Sequence, residues 1–357
     1  MPFDRFMDLA LHDREHGYYS KGASRVGREG DFFTASDVGT LFGDCVAKQL
    51  VEMDRLLGRP PRFTAIEFGA GRGLLARDVL DAAPGIDAEF ASRLRYVMAD
   101  RSPGMRAAAA GLVPEAESAS PADVAQRAAG CVLAVELFDA LPVHRVRRRE
   151  GRLREVFVDL GADGRFVERE GDPAPEAEAL ARRYRAAGRD GEEAEVCPAA
   201  SEALDALLAA IRRGFVVVVD YGDPAPVLYG PGRPRGTLLA YHRHATNEDF
   251  LLRVGEQDLT AHVNLTQLED RGRERGAETL GITTQDRFLI ANGILRHFEE
   301  GAGDRNDPAR VRARLRAMQL IHPDGMGRIF KVLILSKGIH PPPGLAGLRD
   351  PFREGLD

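Results

Sequence analysis

The 357-residue sequence has no tryptophan, three cysteines and only four lysines, and aromatic residues make up 7% of it. Cys45, Cys131 and Cys197 lie far apart with no Cys-x-x-Cys pair. That pattern excludes a disulfide framework and a zinc site, and leaves buried thiols in a reducing compartment. Long apolar runs are also missing. The longest are about five residues, such as 215–219, too short to span a membrane. The first 17 residues have neither a basic leader nor an apolar core, and their acids argue against a transit peptide, so the expected location is a bacterial-type cytoplasm. A net charge of −6 argues against a dedicated nucleic-acid binder. The basic residues are almost all arginine, which we read as genomic codon bias. What remains is an ordinary globular composition, 44% hydrophobic and 29% charged, long enough for one large domain with insertions or two modest ones.

Hydrophobic periodicity organises the chain. Phe3, Phe6, Met7, Ala10 and Leu11 recur at helical spacing. A Gly- and aromatic-rich loop follows over 16–34, then a second helix carrying Val38, Leu41, Phe42, Cys45, Val46 and Met53, with Ser36 as its N-cap. After Pro60-Pro61 the pattern alternates between strands and helices: strands at 63–68, 95–100, about 112–118 and 131–136. Such alternation builds a parallel sheet covered by helices. Beyond Pro142 the reading changes to a hairpin over 143–160 turning at Glu150-Gly151 and continued around Asp163-Gly164. A charged helical stretch then runs to about residue 190. Another helix precedes the apolar strand 215–219; residues 222–262 read as loop. A helix at 265–276, a strand near 278–283, a helix capped by Asp307 and a final strand at 329–335 complete the chain.

Glu67-Phe-Gly-Ala-Gly-Arg-Gly73 lies between a strand and a helix, where a ligand can rest against backbone N–H groups. A dinucleotide fingerprint would place glycine at position 74, which holds Leu74. Glu67 suits a cationic ligand and would repel a pyrophosphate. S-adenosylmethionine fits, with a sulfonium, an ammonium and no phosphate; NAD-type binding and a structural strand–turn–helix are the alternatives. Gly69, Gly71 and Gly73 would cradle the cofactor, and Asp100, ending the next strand, would accept its ribose hydroxyls. The long interval to Asp100 implies a loop insertion around Pro84-Gly85. Ser118, at the end of the third strand, joins the cofactor-binding set.

Glu136-Leu-Phe-Asp-Ala-Leu-Pro142 ends the fourth strand, beside the expected switch point of the sheet. Its two carboxylates could grip a cationic substrate or orient a nucleophile; the alternative is that Glu136 caps the next helix or pairs with an arginine. Glu136 is also placed against the cofactor. His144 is a weaker general-base candidate, because it opens a hairpin strand.

The motifs together resemble the MidA-like family, whose eukaryotic members are mitochondrial complex I assembly-factor arginine methyltransferases. They are Gly30-Asp-Phe-Phe-Thr-Ala35 with Leu41-Phe-Gly43, the 67–73 loop with Asp78, 136–143, and Asp220-Tyr-Gly222. Residues 255–263, Thr284-Gln285 with Arg287-Phe-Leu289, and Met326-Gly with Phe330-Lys-Val332 extend the match over roughly 1–337. The resemblance implies an α/β Rossmann-like class I methyltransferase sheet, mostly parallel, with a helical N-terminal extension and β-hairpin and helical insertions. Three positions depart from the family pattern: Val135 for Asn, Ala70 for Pro, and Ser36-Asp37 for Pro-Glu.

Methyl transfer from a sulfonium is an in-line displacement, so positioning the nucleophile is the main task. For a guanidinium acceptor, Glu136 and Asp139 would hold the fork, with Glu256 and Asp258 as a second acidic wall. A hydroxyl acceptor would need a base, and His262 is the leading one. Phe32, Phe33 and Thr34 could fold over the cofactor, or could simply pack. The Arg-rich run 145–149 reads as a solvated hairpin edge, or else as a docking surface for an acidic partner. The expected organisation is an N-terminal extension (1–60), the first half of the cofactor-binding core (61–142) and a hairpin and helical insertion (143–212). The rest of the core (213–337) carries substrate-side insertions at 222–262 and 284–325, and 338–357 is a tail. The expected activity is S-adenosylmethionine-dependent methylation of an arginine on a protein partner. A small-molecule O- or carboxyl methyltransferase and a non-catalytic cofactor-binding assembly factor are the alternatives. No metal, nucleic acid or membrane is expected, and the oligomeric state is open, a homodimer included.

Overall fold

Strands and helices alternate in the computed structural model as the apolar pattern predicts, and the strands Phe63–Phe68 (β1), Leu94–Ala99 (β2), Glu117–Ala119 (β3) and Arg127–Val135 (β4) join one sheet. Ile211–Asp223 (β9), Ala277–Thr284 (β14) and Phe330–Lys337 (β15) complete it in the order β14-β15-β9-β4-β1-β2-β3. Residues 1–21, 34–243, 245–296, 308–340 and 344–352 are described. The pairs from β3 to β9 are parallel, and β15 runs antiparallel to β14. β2 lies on one side of β1 and β4 on the other, so the sheet reverses its order at β1/β4, the point where α/β sheets open a ligand crevice. This is the Rossmann-like α/β sheet that the resemblance implied.

The chain forms two compact units. The one with this sheet comprises Phe33–Val135, Ala206–Asp220 and Gly272–Asp357. Its β1 strand is buried along its whole length, and helix Leu41–Leu56 buries Leu41, Phe42, Cys45, Val46, Leu50 and Met53. A glycine pair lets three strands approach. Thr64, Gly130 and Gly214 align in register, and a Cβ on Gly130 would fall 1.9 Å from the Thr64 carbonyl oxygen.

The second unit comprises Met1–Phe32, Glu136–Asp205 and Tyr221–Arg271. Helix Phe3–His12 buries the five residues its periodicity marks, of which Phe3, Phe6, Met7 and Leu11 are each worth about 2 kcal/mol when removed from water. They pack with Tyr18, Val143, Val158, Leu238, Ala240, Leu259 and Ala261. An antiparallel sheet of His144–Arg149 (β5), Arg152–Leu160 (β6), Phe166–Gly171 (β7) and Glu193–Val196 (β8) has the order β7-β6-β5-β8. Glu150 and Gly151 both take positive φ, the requirement of the tight two-residue turn read from the sequence.

Several local expectations are corrected. The strand expected at 112–118 shrinks to β3, because helix Pro103–Leu112 runs through Leu112. Pro84-Gly85 is not a loop; it lies within helix Leu74–Ile86, and a short helix Ala88–Arg93 takes up the extra length. Thr34, not Ser36, caps the short helix Ala35–Val38, with Asp37 closing a capping box, and the long helix starts only at Leu41. The stretch 222–262 is not loop: Leu239–His242 (β10), Ala245–Asn247 (β11) and Asp258–Thr260 (β12) form a three-stranded antiparallel sheet, and Val263–Asn264 (β13) pairs with the end of β9. The Arg run 145–149 is not a solvated edge, because β5 is an inner strand. Arg145 is buried over the rings of Phe3 and Phe250, and both Arg145 and Arg147 bind Glu168 and Glu193.

Gly130→Ala should destabilise the protein by about 3 kcal/mol or more, since the added methyl meets backbone. Gly111→Ala, in helix Pro103–Leu112 with open space around it, should raise stability by up to about 1 kcal/mol. Urea denaturation of both variants checks the pair of signs.

Candidate active site

The loop after β1 is shaped by three left-handed glycines, Gly69, Gly71 and Gly73, with φ of 76°, 51° and 79°. Gly69 N–H and Ala70 N–H both donate to the Ala99 carbonyl, which ties the loop to the end of β2. Asp100 completes the tie. Its carboxylate accepts from Gly71 N–H at 2.9 Å and from Ser102 N–H at 2.8 Å. Asp100 therefore sets the loop's shape, and its remaining lone pairs are what a ribose could use. A Cβ on Gly71 would meet no protein atom within 4 Å, so the loop faces open space there.

Glu67 lies buried near the end of β1, and its carboxylate accepts from Tyr96 OH on β2 at 2.9 Å. Burial pushes its pKa up to about 8, against the Tyr96 hydrogen bond, and Asp100 and Asp78 add repulsion of the same sign. A buried carboxyl under these influences is stabilised as an anion when a cation arrives. Arg72, the loop's one charged residue, forms an ion pair with Asp37. Thr34 belongs to the same assembly through the Asp37 capping box. Ser118 sits on the exposed edge strand β3, where its hydroxyl donates to the Arg106 carbonyl at 3.4 Å. Phe32 and Phe33 lie outside the described residues.

The other predicted residues fall in the second unit. Glu136 follows β4 with φ of 53°, a left-handed conformation that costs a non-glycine residue roughly 1–2 kcal/mol. Asp139 is buried, its pKa raised by desolvation, and its carbonyl accepts from Ala261 N–H. Asp258, also buried, opens β12 opposite Tyr241 of β10 and accepts from Tyr19 OH at 2.9 Å. Asp139 and Asp258 both act electrostatically on the Tyr19 and Tyr241 hydroxyls, and Glu136 acts on Tyr241. Three predicted carboxylates thus share one neighbourhood with two tyrosines. Glu256 does not join them as a buried wall: its side chain is exposed, and its carbonyl accepts from the His242 ring. His262 stacks on Tyr221 at 5.9 Å between ring centroids, and its backbone N–H donates to the Thr237 hydroxyl.

Tyr19 and Tyr241 were not singled out from the sequence. The one faint signal was the aromatic loop 16–20; Tyr241 lay in a stretch read as loop. His144 is occupied elsewhere, with Nδ1 on Glu155 at 2.7 Å and Nε2 at 3.6 Å from Asp4. These three side chains bring ligand-type atoms within 4.8 Å of one another, but Glu155 already accepts from Ala174 N–H with its second oxygen.

A family model for S-adenosyl-L-methionine-dependent methyltransferases matches residues 45–283. A Burkholderia thailandensis protein crystallised with S-adenosyl-homocysteine shares 31% identity and a TM-score of 0.84, covering 97% of this chain and 90% of its own. Among curated relatives, the mitochondrial protein arginine methyltransferase NDUFAF7 homolog of Drosophila melanogaster is 28% identical over 95% of this chain and 82% of its own. The human mitochondrial NDUFAF7 is 26% identical over 92% and 78%. Because these relatives are named as mitochondrial, the cytoplasmic location expected from the N-terminus is not supported. Among the described residues no helix is long and apolar enough to cross a membrane.

Glu67 carries a checkable consequence. Its pKa is raised, so in the cofactor-free protein the carboxyl is mostly protonated at pH 7, and a cationic ligand should expel the proton. Calorimetric titration with S-adenosylmethionine at pH 7, in two buffers of different ionisation heat, should show proton release that Glu67→Gln abolishes; equal heats in the parent protein would place the cation elsewhere. The glycine loop is open at Gly71 and pinned by Asp100, with buried Glu67 on the strand before it, and the chain belongs to the family of S-adenosyl-L-methionine-dependent methyltransferases.

Proposed function

We propose that the methyl acceptor is an arginine side chain of a protein partner. The observation that carries the reading is the buried Asp139 and Asp258 pair, with Glu136 and the hydroxyls of Tyr19 and Tyr241 beside it. A guanidinium is always charged and presents a planar fork of N–H donors, which paired carboxylates match better than they match a neutral hydroxyl. Curated relatives named as protein arginine methyltransferases support the same choice.

S-adenosylmethionine supplies an electrophilic methyl group when bound. Glu67, Gly69, Gly71, Gly73, Asp100 and Thr34 are the residues we assign to holding it. On the acceptor side, Asp139 and Asp258 would bind the guanidinium edge and draw its positive charge away from the reacting nitrogen. Glu136, fixed by its left-handed backbone, would orient that nitrogen. Tyr19 holds the Asp258 carboxylate by a hydrogen bond and keeps it from turning away. A hydroxyl acceptor would instead call on His262 as base.

The deciding experiment is transfer of labelled methyl into a fractionated lysate, followed by hydrolysis and amino-acid analysis. Label recovered as methylarginine supports the proposal; label confined to small molecules sinks it. With an arginine peptide as acceptor, Asp258→Asn should raise KM roughly ten- to hundredfold, the loss of a charge-assisted hydrogen bond, with cofactor affinity unchanged. Burial raises the Asp139 pKa, so its carboxyl stays protonated above the ordinary carboxylate range and is ionised only toward neutrality. Since the acceptor needs the ionised form, kcat/KM should climb as pH rises toward neutrality, and Asp139→Asn should flatten that limb.

A further inference from the structure

Asp37 stands at the centre of a small assembly that joins the segment after residue 33 to the glycine loop. One of its oxygens pairs with Arg72, which lies between Gly71 and Gly73. Its other oxygen accepts from Thr34 N–H at 3.0 Å and from the Thr34 hydroxyl at 3.1 Å. The pair is well shielded, with the Asp37 side chain 6% exposed and that of Arg72 27% exposed. Helix Pro308–Ile321 supports the segment from another side: the aliphatic part of Arg316 packs at Gly39, 3.2 Å from where a Cβ would stand.

The location of the pair is its main clue. Helix Ala35–Val38 is a single turn and gains little stability from its own hydrogen bonds. A shielded ion pair is weak as a source of net stability, because desolvation offsets much of the attraction, but it fixes geometry. Arg72 comes from the one loop whose backbone must be aimed at the cofactor. Its flanking glycines hold left-handed conformations that are entropically costly to keep in a single arrangement. Arg72 can therefore stiffen the loop only if something outside the loop holds the guanidinium. Asp37 does so, and the same carboxylate fixes Thr34.

We propose that Asp37 and Arg72 are positioning residues for S-adenosylmethionine. Their ion pair holds the glycine loop and Thr34 in one binding-competent arrangement, so that breaking it weakens cofactor binding more than it weakens the fold. The inference concerns the cofactor side and is independent of the identity of the acceptor.

The test is a double-mutant cycle with Asp37→Asn and Arg72→Gln, read by calorimetric titration with S-adenosylhomocysteine and by thermal unfolding of the cofactor-free proteins. Each single variant should bind about tenfold more weakly, a loss typical of a charge-assisted hydrogen bond. The double variant should be no weaker than either single one, and unfolding temperatures should stay close to the parent value. Asp37→Glu, which keeps the charge, should restore most of the affinity. Parent-like affinity in Asp37→Asn would overturn the proposal. So would losses that add in the double variant, or a fall in unfolding temperature large enough to account for the weaker binding. Amide hydrogen exchange over residues 35–38 provides a readout that needs no ligand: faster exchange in both single variants is expected, and unchanged exchange counts against the positioning role of the ion pair.

Discussion

The hydrogen bonds from Gly71 N–H and Ser102 N–H to the Asp100 carboxylate hold the cofactor side of this protein together. They join the loop after β1 to the residues after β2 at the carboxyl ends of these two neighbouring parallel strands. A loop rich in glycine can adopt many shapes, and it becomes a site only when one of them is enforced. Asp100 enforces it from below, together with the Ala99 carbonyl, and Arg72 ties the loop to Asp37. Asp100 thus holds the loop to the end of β2.

Burial of carboxyl groups is the second constraint, and it recurs in both units. Glu67 in the sheet unit, and Asp139 and Asp258 in the other, are all removed from water. Each is costly to bury as an anion without a cation partner. A cationic ligand would relieve that cost. Burial alone is not enough to mark such a site. Glu155 is equally buried, but its oxygens are taken up by His144 and Ala174 N–H, and it serves the packing of its own sheet.

Much of the architecture was legible in the chain because local chemistry specifies it. Five apolar residues at helical spacing define the first helix, and Glu150-Gly151 with Asp163-Gly164 mark the turns of the hairpins. The apolar strands 63–68, 131–135 and 215–219 stand out because a parallel strand is buried on both faces. Strands β8, β10, β11 and β12 did not stand out. They are three or four residues long, polar on one side, and stable only through partners distant in sequence. The Arg run 145–149 was misread for a related reason: its counter-charges, Glu168 and Glu193, come from other strands.

The sequence by itself determined a glycine-rich loop at 69, 71 and 73 between a strand and a helix, with acids at 67 and 100 close to it in the chain pattern. It also supplied Glu136, Asp139 and Asp258 as candidate carboxylates by residue type. Only tertiary structure decided which acids are buried, that Asp258 lies under Tyr19 across 239 residues of chain, and that Arg72 is held by Asp37 rather than left to solvent. The physical reason is that a side chain's chemistry is local, while its pKa, its orientation and its partner depend on which distant segments the fold brings to it and on how much water they exclude.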